Sequence, residues 1–188
     1  SSGGVIRVFT QDGGPKTEVQ PYFEVGSYGQ RRAGLKASGK SDELGYVIDA
    51  GQFHTNGYRD QSAADRRNAN AKLSFMGGPD TRITLIANNV SLKAQDPTGL
   101  TESQLIENPK QAGTNAISQN SRKSVDQTQV GVSIDFRINP NNNFLLSPYL
   151  GQRHVLQYLT STAEGSSAID LVRSFYGMDS KWIHQNKF

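Results

Sequence analysis

Val125-Asp126-Gln127-Thr128-Gln129-Val130-Gly131-Val132-Ser133-Ile134-Asp135-Phe136-Arg137-Ile138 is the stretch that decides the fold. Val130, Val132, Ile134 and Phe136 alternate with Gln129, Gly131, Ser133, Asp135 and Arg137. Successive side chains of a strand point to opposite faces, so this period of two gives one apolar face and one polar face. Asn139-Pro140-Asn141-Asn142-Asn143 follows, a turn by its chemistry. Residues 144–156 then read as the next strand.

The same pattern extends outward in both directions. It predicts strands at 21–28, 31–38, 44–54, 68–76, 81–89, 125–138, 144–156 and 169–184. Gly26-Ser27-Tyr28-Gly29, residues 39–43 and Gly77-Gly78-Pro79-Asp80 are tight turns. Residues 55–67, 90–124 and 157–168 are long polar loops. Within the longest, Thr101-Glu102-Ser103-Gln104 has the form of a capping box and predicts a short helix through Glu107. Pro97 and Pro109 bracket it.

Strand length and loop order suggest the architecture. The strands run to ~9 residues or more, near the ~9–11 that cross a bilayer obliquely. After the first hairpin, short and long connections alternate strictly. In an up-and-down meander alternate connections share an end, so the long loops form one rim and the tight turns the other. The fold class expected is all-β, an antiparallel up-and-down transmembrane β-barrel segment. Leu35, Tyr46, Ile48, Leu73, Phe75, Ile83, Leu85, Val132, Ile134, Phe136, Leu146 and Leu150 would then face lipid, with Ala33 beside them. Two alternatives use the same strands. A self-contained eight-stranded barrel serving as adhesin or anchor requires the first and eighth strands to pair. A soluble β-sandwich binding module requires the apolar stripes to be packed face to face and buried.

Composition narrows the function. Of 188 residues, 35% are hydrophobic and 19 are Gly, which is lean for an ordinary soluble core. No run approaches the ~18 apolar residues of a transmembrane helix, and no charged segment precedes a short apolar one as in a signal peptide. Neither point bears on a β-barrel, which hides its lipid face in alternation. With 0 cysteines there is no disulfide framework or thiolate site. A net charge of +3, dispersed along the chain, gives no footprint for nucleic acid. His54, His154 and His184 lack ligand spacing, and no nucleophile–base or phosphate-binding pattern occurs. The expectation is no enzyme, no cofactor and no metal site.

The chain opens on Ser1-Ser2-Gly3-Gly4-Val5-Ile6-Arg7-Val8-Phe9-Thr10-Gln11-Asp12-Gly13-Gly14, an apolar and β-branched run bounded by glycines. Ser2–Thr10 resembles the end of the plug domain of TonB-dependent outer-membrane receptors. Phe23-Glu24-Val25-Gly26-Ser27-Tyr28-Gly29 resembles their first barrel strand and turn. Asp96-Pro97-Thr98-Gly99-Leu100-Thr101, Asn108-Pro109 and Arg122-Lys123-Ser124 resemble the third extracellular loop of siderophore-receptor members. Leu150-Gly151-Gln152-Arg153 and Ile169-Asp170-Leu171 continue the likeness.

The resemblance implies a piece of a larger receptor in the outer membrane of a Gram-negative bacterium. Residues 1–14 would end the plug, 15–20 connect, and 21–188 begin a 22-stranded barrel that is truncated here. It implies a ferric siderophore or similar chelate as ligand, the TonB complex as partner of the whole receptor, and outer-membrane lipid and lipopolysaccharide as surroundings. The long-loop rim is the expected ligand surface. Its candidates are Tyr58, Arg59, Arg66, Arg67, Arg122, Lys123, Arg153, His154 and Tyr158, since Arg suits anionic chelates by charge and fork geometry and Tyr by stacking. Arg7, a charge within a plug strand, would find Glu24 or Asp49.

Overall fold

The computed structural model describes residues 10–161 and 167–185. They form one antiparallel eight-stranded sheet in the order β1-β2-β3-β4-β5-β6-β7-β8. The strands are β1 (Glu18–Val25), β2 (Arg31–Ser41), β3 (Leu44–Thr55), β4 (Ala64–Gly78), β5 (Thr81–Gln95), β6 (Arg122–Asn139), β7 (Asn142–Leu159) and β8 (Ser167–His184). One short helix, α1 (Glu102–Glu107), interrupts the longest connection. Its capping box is present: the Thr101 hydroxyl accepts from the Gln104 N–H, and the Gln104 side chain accepts from the Thr101 N–H.

Every strand pairs only with its sequence neighbours. Among the described residues β1 and β8 do not pair, so the self-contained closed barrel is not formed. The sandwich is absent too, because there is one sheet and its apolar stripes are uncovered. Tyr176 is 87% exposed, Phe23 72% and Trp182 69%. Among the described residues only Ala116 and Val125 are buried apolar side chains. A sheet with so little core does not stabilise itself by internal burial, and its apolar face is left open.

Register separates the two faces row by row. One row across the apolar face runs Ala37, Ile48, Ala71, Ala87, Val130, Leu150, Tyr176. Another contains Leu73, Leu85 and Val132, and a third Phe75, Ile83, Ile134 and Leu146. Phe136, Phe144 and Trp182 form an aromatic row at the tight-turn end. Every stripe residue expected from the sequence lies on this face.

The opposite face is polar and internally hydrogen-bonded. Asp49 accepts from Asn68 (3.2 Å) and Asn70 (3.4 Å), and Asn70 accepts from Asn88 (2.9 Å). Ser74 meets Thr84 at 3.1 Å, and Ser133 meets Ser147 at 3.2 Å. Aromatic rings lie over strand glycines here. A Cβ on Gly34 or Gly51 would collide with the Tyr22 hydroxyl, one on Gly177 with Tyr149, and one on Gly151 would come within 2.5 Å of Phe175.

The tight turns fall at residues 42–43, 79–80 and 140–141, and the long connections at 56–63, 96–121 and 160–166. The expected two unequal ends are therefore observed. The strands are longer than expected, however. β4 starts at Ala64, β5 ends at Gln95, β6 starts at Arg122 and β7 ends at Leu159. Arg66, Arg67, Arg122 and Lys123 are strand residues, not loop residues. Alternation marks a strand only while the apolar residues keep to one face; beyond that band β4 is largely polar on both faces and in β5 Val90, Leu92 and Ala94 fall on the opposite face, so the pattern breaks although the ladder continues.

The plug strand expected at Val5–Thr10 lies outside the described residues, save for Thr10, which is not in a strand. Arg7 lies outside them as well. Its expected partners are engaged elsewhere: Glu24 pairs with Arg32 at 3.4 Å, and Asp49 takes the amides above. Gln11 and Asp12 are described. Asp12 bridges Lys72 (2.7 Å) and Arg82 (3.4 Å), both on the polar face, and Lys36 bonds the Gln11 side chain.

Candidate functional site

The long connections are tied into one platform. Arg59 spans the first two. Its guanidinium donates to the carbonyls of Thr98 (2.7 Å), Gln111 (2.9 Å) and Pro97 (3.1 Å). Gln61 adds donations to Asn120 and to the Ser121 carbonyl, both at 3.1 Å. Asn115 and Gln119 reach the third connection through the Ser161 carbonyl, at 3.0 and 2.9 Å. Ser121 is fully buried and donates to the Asp96 carbonyl at 2.5 Å. Gly113 sits where any Cβ would strike Thr98 and the Gly99 carbonyl. These loops read as polar and featureless in sequence because their bonds go to backbone carbonyls, which no residue type encodes.

The expected rim residues divide into distinct places. Tyr58 is exposed on the platform, edge-on to Tyr28 with centroids 5.4 Å apart, and the Lys110 ammonium lies 6.0 Å from its ring. Arg59 is held within the platform by its carbonyls. Arg66 lies over the Phe53 ring at 5.8 Å on the polar face. Arg67 is on the apolar-face side, in the row of Gln52 and Ser91. Arg122 stacks on Tyr158 at 3.7 Å, so these two form one unit. His154 pairs with Asp170 at 2.7 Å, and His54 pairs with Asp65 at 2.8 Å. Among the described residues no His/Asp/Glu cluster has the form of a metal site.

Lys123 and Arg153 point to the polar face, and there Arg153 stands directly opposite Arg173 of β8. Like charges directly opposite destabilise a sheet. The nearby carboxylates do not relieve this pair, since Asp126 and Asp170 belong to the opposite face by register. Neither arginine forms an ion pair among the described residues. The polar face near the rim is therefore cationic across β6–β8. Arg173, Tyr28 and Lys110 were not among the residues expected from sequence. Tyr28 occupies a turn with φ 59°, which reads as turn chemistry alone. Arg173 lies where Leu171-Val172 blurs the alternation, and only the register gives its face.

No family model of protein sequences matches the chain. The fold itself has solved counterparts. It is similar to the ferric citrate transporter FecA in its unliganded form, with TM-score 0.74 and 12% identity, covering 90% of this chain and 25% of that one. It is similar to the ferric-catecholate import receptor Fiu of E. coli K12 in its open form, with TM-score 0.72 and 10% identity, covering 95% of this chain and 33% of that one. The closed form of Fiu gives 0.62 and 11%, covering 91% and 28%. The chain thus spans a quarter to a third of the length of the structures it matches. At these identities the likeness is one of fold: the eight strands are built like part of the barrel of such a receptor.

Proposed function

We propose that the chain forms part of the wall and extracellular rim of a TonB-dependent outer-membrane receptor for a ferric chelate. The apolar face meets lipid, the polar face lines the lumen, and the long connections face outside. The observation that carries the ligand class is the unrelieved pair Arg153 and Arg173 beneath the rim, with Lys123 on the same face. An anionic chelate bound there would offset a repulsion the sheet otherwise carries. Tyr28, Tyr58 and Lys110 supply an aromatic and cationic surface at the entrance. The fold shared with two ferric-chelate receptors supports this reading. The event is transport, with no bond made or broken by these residues.

Uptake of radioiron by cells expressing the gene that encodes this chain tests it, with other receptors removed. Import of an anionic ferric chelate is expected, and Arg153→Ala with Arg173→Ala should weaken it more than either alone. Import of some other ligand with no ferric chelate taken up would overturn the iron assignment.

A further inference from the structure

The chain contains one Asn-Gly step, Asn56-Gly57, at the start of the first long connection. Asn56 is exposed, and its surroundings separate the two ends of its amide. The Oδ1 atom faces His54 Nε2 at 3.2 Å, and His54 Nδ1 faces the Asp65 carboxylate at 2.8 Å. The protonated imidazole satisfies both contacts, donating at each nitrogen. The Nδ2 atom faces Gly29, where a Cβ would come within 2.5 Å of it. Across the peptide bond, the Gly57 N–H donates to a side chain, Thr55 Oγ1 at 3.0 Å, and not to a ladder carbonyl. Gly57 has φ +81°, and a Cβ there would strike Ser62, so the nitrogen next to Asn56 belongs to an unbranched residue. Asn115 and Asn120, in the second long connection, are placed differently. The nitrogens that follow them donate to the Gly113 carbonyl at 3.1 Å and the Ala116 carbonyl at 2.9 Å, and Ala116 and Ser121 are fully buried.

We propose that Asn56-Gly57 is a site of self-modification, at which the chain converts its own asparagine to aspartate or isoaspartate through a cyclic imide. The Gly57 nitrogen bonds to the Asn56 Cγ. The Cγ–Nδ2 bond breaks, and Nδ2 leaves as ammonia with the proton given up by the Gly57 N–H. Water then opens the imide at either carbonyl. Nothing is oxidised or reduced, and water is the only co-reactant. His54 is the activating donor: its Nε2–H polarises the Cγ–Oδ1 bond and stabilises the negative charge that develops on Oδ1 as the nitrogen adds. Asp65 is a positioning residue, which fixes the ring through Nδ1. Gly29 leaves room for the departing amide nitrogen. The consequence falls on the platform. The Asn56 N–H donates to the Tyr28 carbonyl at 2.9 Å, and Tyr28 meets Tyr58 edge-on. Isoaspartate lengthens the backbone between Asn56 and Tyr58 by one methylene, so it parts the two rings and adds a carboxylate beside them. This chemistry does not depend on which ligand the chain binds.

The test ages the full chain, folded in detergent at neutral pH, and digests samples with trypsin. Mass spectrometry follows the peptide Ser41–Arg59 for the mass gain of an amide-to-acid exchange. The same chain in denaturant is the reference for an unassisted Asn-Gly step. The folded chain is expected to convert faster, by on the order of tenfold, which is less than a donor in a water-excluded site gives. His54→Ala should bring the folded rate down to the reference. His54→Gln, which can still donate from a neutral amide, should recover part of the difference, and Asp65→Asn should lose part of it. Asn56→Gln should show no gain, since its longer side chain closes the ring poorly. Circular dichroism checks that each variant keeps its strands. A folded rate equal to or below the reference overturns the proposal, as does a His54→Ala rate equal to that of the unsubstituted chain.

Discussion

Asp12 joins the segment before β1 to the sheet by charge, next to Gly13, whose backbone lies close against Gly39 and Tyr46. Its carboxylate meets Lys72 at 2.7 Å and Arg82 at 3.4 Å, and the Lys72 ammonium also donates to the carbonyls of Thr10 and Gln11, each at 3.3 Å. The hydrogen bond from Lys72 holds the Asp12 carboxyl below its usual value, against the opposing effect of burial and with help from the charges of Lys72 and Arg82. A group whose pKa is depressed on folding contributes stability that is present above its unfolded pKa. That contribution is lost as pH falls through the lower, folded value. The tether is therefore expected to hold at neutral pH and to release below the ordinary carboxylate range. Hydrogen exchange or proteolysis at residues 10–14, measured against pH, reads this directly. Asp12→Asn should show the released state even at neutral pH; continued protection in that variant would mean that packing, not charge, holds the segment. The attachment was not legible in the sequence, because the partners of Asp12 lie on β4 and β5.

The strands show where sequence is informative and where it stops. Each stripe residue from Leu35 to Leu150 sits on the apolar face as its alternation requires, because burial on one side pins the register. The Thr101 cap was legible for a similar reason, since its partner is three residues away. The strand extensions carrying Arg66, Arg122 and Tyr158 were not, since the apolar pattern breaks where the apolar band ends. The glycine–aromatic contacts were invisible too, being set by cross-strand register. Tyr22 reaches from β1 across β2 to the space above Gly51 on β3, stacks beneath Arg32 at 5.0 Å and points its hydroxyl toward Asp49 at 3.5 Å. Gly51→Ala must displace that ring, since the new Cβ would come within 2.2 Å of the Tyr22 hydroxyl. The expected cost is about 1–3 kcal/mol, as for other overpacked sites. Combining it with Tyr22→Ala removes the obstruction, so the double variant should lose less than the sum of the two single losses. Denaturant unfolding in detergent measures the cycle, and strict additivity would mean that Tyr22 does not occupy that space.

Across the whole molecule the sheet is amphipathic, and on the proposed barrel reading that pattern would set its depth in a membrane. The apolar rows end at the aromatic row of Phe136, Phe144 and Trp182 on one side and at Asn89, Thr128 and Gln152 on the other. From Val130 to Phe136 along β6 the band spans about 20 Å at ~3.4 Å per residue. Aromatic side chains with a polar tip settle at the boundary between hydrocarbon and headgroups. Trp182 fits that position: its ring is exposed on the apolar face while its indole N–H donates to Asn142 at 3.0 Å beside the tight turn. Because the chain contains 1 Trp, its fluorescence reports this depth without interference. In vesicles of brominated lipids, bromines near the headgroup should quench Trp182 strongly and those at the chain ends weakly. Moving the tryptophan to the middle of the band, as Leu150→Trp with Trp182→Phe, should reverse that order. A soluble sandwich would bury both positions against protein and show no quenching from either lipid. The reversal is therefore the decisive outcome, because it requires that one face of this sheet meet lipid along its height, with the tight turns at one boundary and the tethered loops beyond the other.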